Sequence, residues 1–346
     1  MNFKYRLILI KRIASKVITV GKHAAQIIYG MRMEKNKFMR NSHYYYKNFN
    51  MGLEIDIAGT FIYDGINNLK IMQNFDIESE VFSFLYHISV GIERMQKVII
   101  VLLEEIDGEE EFEKSLISHN HCDLHDRIRS KKSINFHEKQ NEFLQLITRF
   151  YKGGRYNNYA ISSELKRDVI AINNYFKKYV TYKSDPSYFD NRDKEKELLG
   201  RVIGSITSTY YNLIESICSE KNIYTYELRN KSKAQKVFLP EYKKNSLNEI
   251  NINETIAFKE LVIFLLNTGQ SDGFLEFMKQ VSPLNIDIAF LKQYLSEVIK
   301  GEISQQLIDE VEHLYYEEEN IKERLELLSL IGNEYVFFDE IDDDSE

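Results

Sequence analysis

The sequence predicts an all-α protein, a helical bundle followed by a second, smaller helical region. Three observations predict it. The chain of 346 residues has three prolines, and none precedes Pro186; proline is the strongest interrupter of a helix. Apolar residues recur at steps of three and four, the spacing of a helix with one buried face. Alternation of the strand type is nearly absent, and Val336, Phe337 and Phe338 form too short a run to read as a strand. Helices with one apolar stripe bury it against one another, which makes a bundle.

The elements follow in order. Residues 1–52 read as a basic, amphipathic arm. A bundle over 53–220 begins with a helix at about 55–73, whose stripe is Ala58, Ile62, Ile66 and Leu69. The next helix, 78–105, aligns Val81, Leu85, Ile88, Ile92, Met95, Ile99 and Leu103. Residues 111–130 place Ile117, His121, Leu124 and Ile128 together, and 136–151 place Phe136, Phe143, Ile147 and Phe150. Ser162 is a candidate N-cap for the stripe Leu165, Val169, Ile172, Phe176 and Tyr179. A polar loop over 183–193 then leads to a helix at 193–219, with Leu199, Val202, Ile206, Tyr210, Leu213 and Ile217 in register. The polar, basic stretch 221–252 reads as a linker. A C-terminal helical domain, 253–338, is expected as short helices at 254–267, 272–281, 286–299, 303–317 and 320–331. An acidic tail, 339–346, closes the chain.

With 43% hydrophobic and 28% charged residues the composition is that of a soluble globular protein. Two cysteines, Cys122 and Cys218, cannot build a disulfide framework and suit a reducing cytoplasm. The apolar run Leu7 to Ile10 is ended by Lys11 and Arg12, too short for a signal peptide. No stretch approaches the roughly 20 apolar residues of a membrane span, so a cytoplasmic location is expected. The net charge of −8 hides an asymmetry: residues 1–50 carry +10 and residues 301–346 carry −14. The basic arm is interleaved with tyrosines, as at Tyr44, Tyr45 and Tyr46, so RNA or nucleotide is a chemically reasonable partner. The competing reading packs the arm against the protein's own acidic tail or leaves it solvated. The acidic C-terminal region would suit a protein partner.

The motifs of the common cofactor enzymes are missing. There is no G-x-x-x-x-G-K-[ST], no G-x-G-x-x-G, no G-x-S-x-G and no H-E-x-x-H. No cofactor is implied. Three other stretches carry chemistry-bearing residues. Gly91, Glu93, Arg94 and Lys97 lie mid-helix, with Glu93 and Lys97 spaced as a surface ion pair. From Ser118 to Ile128 the chain holds His119, His121 and His125 beside Cys122, Asp123 and Asp126. His121 and His125 are one helical turn apart, a spacing that can hold zinc, but one helix cannot supply a tetrahedral set and no second ligand pair is visible. Membership of the core stripe is the alternative for His121. From Phe150 to Tyr159 the chain holds Tyr151, Gly153, Gly154, Arg155, Tyr156 and Tyr159. Arg155 could grip a phosphate and the tyrosines stack on a base, or the segment is a helix C-cap.

In this order the three stretches resemble the HEPN-type prokaryotic helical proteins, a superfamily named for nucleotide binding. The resemblance covers about 55–220. Its elements are the helix with Gly91, Glu93, Arg94 and Lys97, the turn from Ser118 and His119 through Leu124, and Arg155 with Tyr156. It implies an all-helical bundle, and active members are commonly metal-independent ribonucleases of toxin–antitoxin, abortive-infection and CRISPR-linked systems. Their signature is an arginine, four to six residues, then a histidine. None of the eight histidines here meets it; the nearest pair is Arg129 and His137, with seven residues between.

The expectation is thus a bacterial HEPN-like protein that binds RNA or nucleotide, or a ribonuclease-type effector of phage defence. Cleavage would need a base for the ribose 2′-hydroxyl and a cation for the phosphorane. His119, His121 and His125 with Arg94, Arg127 or Arg129 are the candidates, and Glu93, Lys97, Arg155 and Tyr156 are candidate ligand contacts. Such sites can form across a homodimer. A non-catalytic helical interaction or regulatory protein is the alternative, and a metal-dependent hydrolase centred on His121 and His125 comes third.

Overall fold

The computed structural model describes residues 42–338 except 73, 155–158, 160, 162–165, 182–191, 240–245, 270–271, 317–319 and 334. The outer part of the basic arm, Arg155, Tyr156, Ser162, Leu165, Pro186 and the acidic tail therefore lie outside the described residues. Thirteen α-helices and no strand are present among them. The chain divides into two units, residues 1–247 and 248–346.

In the first unit, a π-helical turn at Tyr46–Asn50 leads into α1 (Met51–Ile71). α2 (Glu78–Leu103) packs along α1 as the central hairpin. Its stripe is buried as the periodicity predicts from Val81 through Leu85, Ile88, Ile92 and Met95 to Ile99, all fully enclosed; at its end Leu102 rather than the expected Leu103 is in the core. Gly91 sits where the two helices come close; a methyl group there would lie 2.6 Å from the Ile62 side chain and 3.0 Å from the Ala58 carbonyl oxygen. α5 (Glu138–Arg149), α6 (Arg167–Tyr179) and α7 (Asp193–Lys221) complete the wall around α2, with Phe143, Phe176, Tyr210 and Tyr211 in the core.

Three expectations are corrected. The helix expected over 111–130 is two helices, α3 (Glu109–Ser115) and α4 (His121–Arg129). Asn120 has extended backbone, and its side chain accepts hydrogen bonds from the amides of Cys122 (3.2 Å) and Asp123 (3.4 Å). This N-cap restarts the helix. Ile117 then stands outside the stripe, 76% exposed.

The stretch 221–252 is not a free linker. Ile223 and Thr225 are buried, and the Thr225 hydroxyl donates to the Lys47 carbonyl at 2.5 Å. α8 (Lys233–Phe238) docks on α1 through Ala234, Val237 and Phe238. Two basic residues of the stretch are paired there: Lys233 donates to Asp64 at 2.6 Å and Arg229 stands 3.8 Å from Asp56. By the same contacts the end of the expected arm, residues 46–52, is part of the bundle rather than a separate tail. Lys47 is itself buried and donates to the Glu104 carbonyl at 2.7 Å.

The second unit holds α9 (Asn248–Asn267), α10 (Gly273–Gln280), α11 (Leu291–Lys300), α12 (Gln305–Tyr316) and α13 (Ile321–Leu330). Their caps are legible: Asp272 accepts from the Leu275 amide at 2.7 Å, and Gly301, at φ +86°, ends α11 in the left-handed region that glycine adopts freely. Of its described residues only Ile250, Asn251 and Tyr294 are buried. The run from Leu261 to Leu266 is apolar throughout, yet Leu261, Ile263, Phe264, Leu265 and Leu266 are all exposed. Val336 and Phe337 form no strand, and Phe338 rests on Phe274 and Phe277. No described helix is long and apolar enough to cross a membrane.

Candidate functional site

The three histidines near position 120 sit in three different environments. His119 precedes α4, because the Asn120 cap ends the preceding turn. Its imidazole faces Glu93 on α2, with Nδ1 3.1 Å from both carboxylate oxygens. The side chain is 49% exposed, and no described residue bonds Nε2. Glu93 is buried, so its carboxylate needs partners; Lys97, one turn on, donates to Oε1 at 2.7 Å. Tyr151, in the π turn Phe150–Gly154, lies against the His119 ring with centroids 5.0 Å apart.

His121 is sealed in the core at 0% exposure. Its Nε2 lies 2.9 Å from the Ser89 carbonyl oxygen, so Nε2 carries the proton and donates. Burial pushes its pKa down to about 4, which keeps the ring neutral at physiological pH. His125 is buried as well. Its Nδ1 is 2.8 Å from the Tyr210 hydroxyl, and its ring stacks on Phe136 at 4.6 Å. Gln96 joins the two: its Nε2 donates to the His121 carbonyl at 2.9 Å and to the Tyr210 hydroxyl at 3.0 Å. Because Tyr210 Oη accepts from Gln96, its proton is free for His125 Nδ1. Burial lowers the His125 pKa and raises that of Tyr210. This is a polar network inside an apolar core, and its groups do not reach solvent.

Arg94 points away from these imidazoles. Its Nη1 donates to Glu54 on α1, and its guanidinium lies 5.8 Å from the Phe61 ring centroid. Arg94 and Lys97 border one cavity of about 430 Å³, walled also by Tyr46, Glu54, Val101 and Leu116. His119 does not line that cavity; it connects to it through Glu93 and Lys97. Arg129 pairs with Asp126 at 3.4 Å on the exposed side of α4 and makes no contact with Glu93, Lys97 or His119. Arg127 is a clasp: it grips both carboxylate oxygens of Glu104 and donates to the Ser115 carbonyl at 3.0 Å. That pairing holds the Glu104 carboxyl below the usual carboxylate range. No cluster of three or more metal-ligating side chains is present among the described residues.

The structure thus brings Glu93, Lys97 and His119 together, sets Arg94 beside Lys97, and gives the polar bonds of His121, His125 and Arg129 to other partners, with His121 enclosed behind them. Glu54, Gln96 and Tyr210 were not anticipated; their partners lie 25 to 114 positions away, and no local spacing signals such contacts. No protein-family model, curated protein or solved structure matches this chain.

Proposed function

We propose that the first unit is a HEPN-like body that binds RNA or nucleotide at the crevice bordered by Arg94 and Lys97. His119 is then the one histidine of the cluster able to meet the ligand. The reading rests on one observation: a single buried carboxylate, Glu93, holds an exposed imidazole and a lysine that borders a cavity together with an arginine. Further support comes from the basic arm, whose residues 1–41 carry +9, the whole net charge of residues 1–247. Both cations are already paired, with Glu93 and Glu54, so a phosphate competes with carboxylates and a modest, salt-sensitive affinity is expected.

A ribonuclease-type effector of a bacterial phage-defence or toxin–antitoxin system belongs to the same proposal. Glu93 would hold the His119 Nδ1–H, leaving Nε2 to accept the ribose 2′-hydroxyl proton. The 2′-oxygen bonds to phosphorus as the P–O5′ bond breaks, the protonated imidazole returns that proton to the leaving 5′-oxygen, and Lys97 would stabilise the phosphorane charge. The test incubates the full chain with total RNA, with and without a chelator. Chelator-resistant loss of RNA that His119→Ala abolishes supports cleavage. RNA binding without cleavage, weakened by Lys97→Ala and by added salt, supports the binding reading alone. Neither binding nor cleavage removes both.

A second reading, a non-catalytic interaction protein, draws on a different observation. The second unit carries 23 acidic against 6 basic residues and leaves the apolar run on α9 uncovered. Exposed apolar patches of that kind mark interaction surfaces.

A further inference from the structure

A cavity of about 330 Å³ lies between α5 and α6, and His119 is not among the residues bordering it. Among the residues bordering it are Leu146, Arg149, Phe150, Arg167, Asp168 and Asn174. The two guanidinium groups set it apart. Arg94, Lys97, Arg127, Lys132, Lys178, Arg201 and Lys233 each hold a carboxylate. Arg149 and Arg167 hold none among the described residues. Arg167 Nη2 donates to the Arg149 carbonyl at 3.0 Å, and Arg149 Nε to the Gln145 carbonyl at 3.4 Å.

Arg167 is therefore fixed at the C-terminal end of α5, where the helix dipole favours a cation. Both arginines border the same space. Two like charges on one cavity are disfavoured unless an anion lies between them. The one carboxylate among the described lining residues, Asp168, is only 8% exposed; burial raises its pKa and the adjacent Arg167 charge opposes that rise, so a single buried carboxylate faces two guanidinium groups. A methyl group at Gly153 would lie 3.7 Å from both terminal nitrogens of Arg167, so the chain of the π turn runs beside the guanidinium without crowding it. Planar guanidinium forks match phosphate oxygens in pairs, and the volume is in the range of small-molecule sites.

We propose that this cavity is a second phosphate-binding site, in which Arg149 and Arg167 grip a phosphate group of a nucleotide or of an RNA strand. It uses none of the residues of the Arg94–Lys97 crevice and stands or falls without it.

The full chain is titrated with uridine monophosphate and, separately, with a fluorescent short oligouridylate. Arg149→Gln is the principal variant, because its described polar contact is to its own helix and the fold is expected to stay intact by circular dichroism. It weakens at least one probe about tenfold or more, the usual cost of a lost charge-assisted hydrogen bond. Arg167→Gln does the same and also lowers the melting temperature, since it holds the α5 carbonyl. Asp168→Asn tightens binding by removing the nearest negative charge. Sensitivity to uridine monophosphate identifies free nucleotide as the ligand; sensitivity of the oligonucleotide alone identifies the RNA backbone. Unchanged affinity of both probes in Arg149→Gln, or no binding of either by the unaltered chain, overturns the site. Lys97→Ala and His119→Ala report on the crevice alone, so loss there with no effect of Arg149→Gln sinks this proposal and leaves the other standing.

Discussion

His121 stays neutral because its ring is enclosed, and that has a measurable consequence. Its pKa falls from the ordinary 6.5 in the unfolded chain to about 4 in the fold. Between those values the unfolded state binds more protons, so stability is complete above about pH 6.5 and is lost as pH falls toward 4. The loss is about 3 kcal/mol from this residue, and His125 adds to it with the same sign. Chemical denaturation from pH 7 to pH 4 is expected to show the decline, and His121→Gln to flatten it; an unchanged slope in that variant would refute the assignment. His119 is the contrasting case. It is half exposed and held by Glu93, so His119→Ala is expected to leave stability within about 0.5 kcal/mol, as for other surface positions, while changing any RNA-linked activity.

Helix contacts carry the next set of consequences. A methyl at Gly59 would fall 2.4 Å from the Ala234 Cα, which is backbone and cannot rotate aside. Gly59→Ala is therefore expected to lift α8 from α1 and to cost about 1–3 kcal/mol, despite the better helix propensity of alanine. Hydrogen exchange should show the 233–238 amides losing protection first. The Asn120 cap is a second lever. Asn120→Ala removes the acceptor for two amides and is expected to cost about 1 kcal/mol, with faster exchange at Cys122 and Asp123 as the check. Asn120 gave no signal against the uninterrupted stripe of Ile117, His121, Leu124 and Ile128, which argued for one helix. Local capping chemistry outweighed a single apolar residue, Ile117, which the fold leaves in water.

Across the whole chain, charge and apolar exposure divide unequally between the two units. The first has a closed aromatic and aliphatic core and a net charge of +9; the second carries −17 and few buried residues. Leu266 is 79% exposed at the end of α9. Leu266→Glu is expected to leave the melting temperature unchanged and to reduce self-association in sedimentation at moderate salt; a folded variant that associates as before would argue against α9 as the contact surface.

The helical class came from periodicity, supported by the proline-free stretch and the lack of strand-like alternation, because a buried stripe is written locally at every third and fourth residue. The same holds for boundaries such as Glu78–Leu103, expected at 78–105, and Asp193–Lys221, expected at 193–219. The pairing of Glu93 with Lys97 was legible for the same reason: they are one turn apart. What only the tertiary structure decided are the long-range contacts. It chose His119 over His121 and His125 as the exposed imidazole, gave Arg94 to Glu54, and folded the basic stretch around Lys233 onto Asp64. Each of those outcomes depends on a partner tens of residues away, and sequence spacing holds no information about which distant side chain will stand opposite.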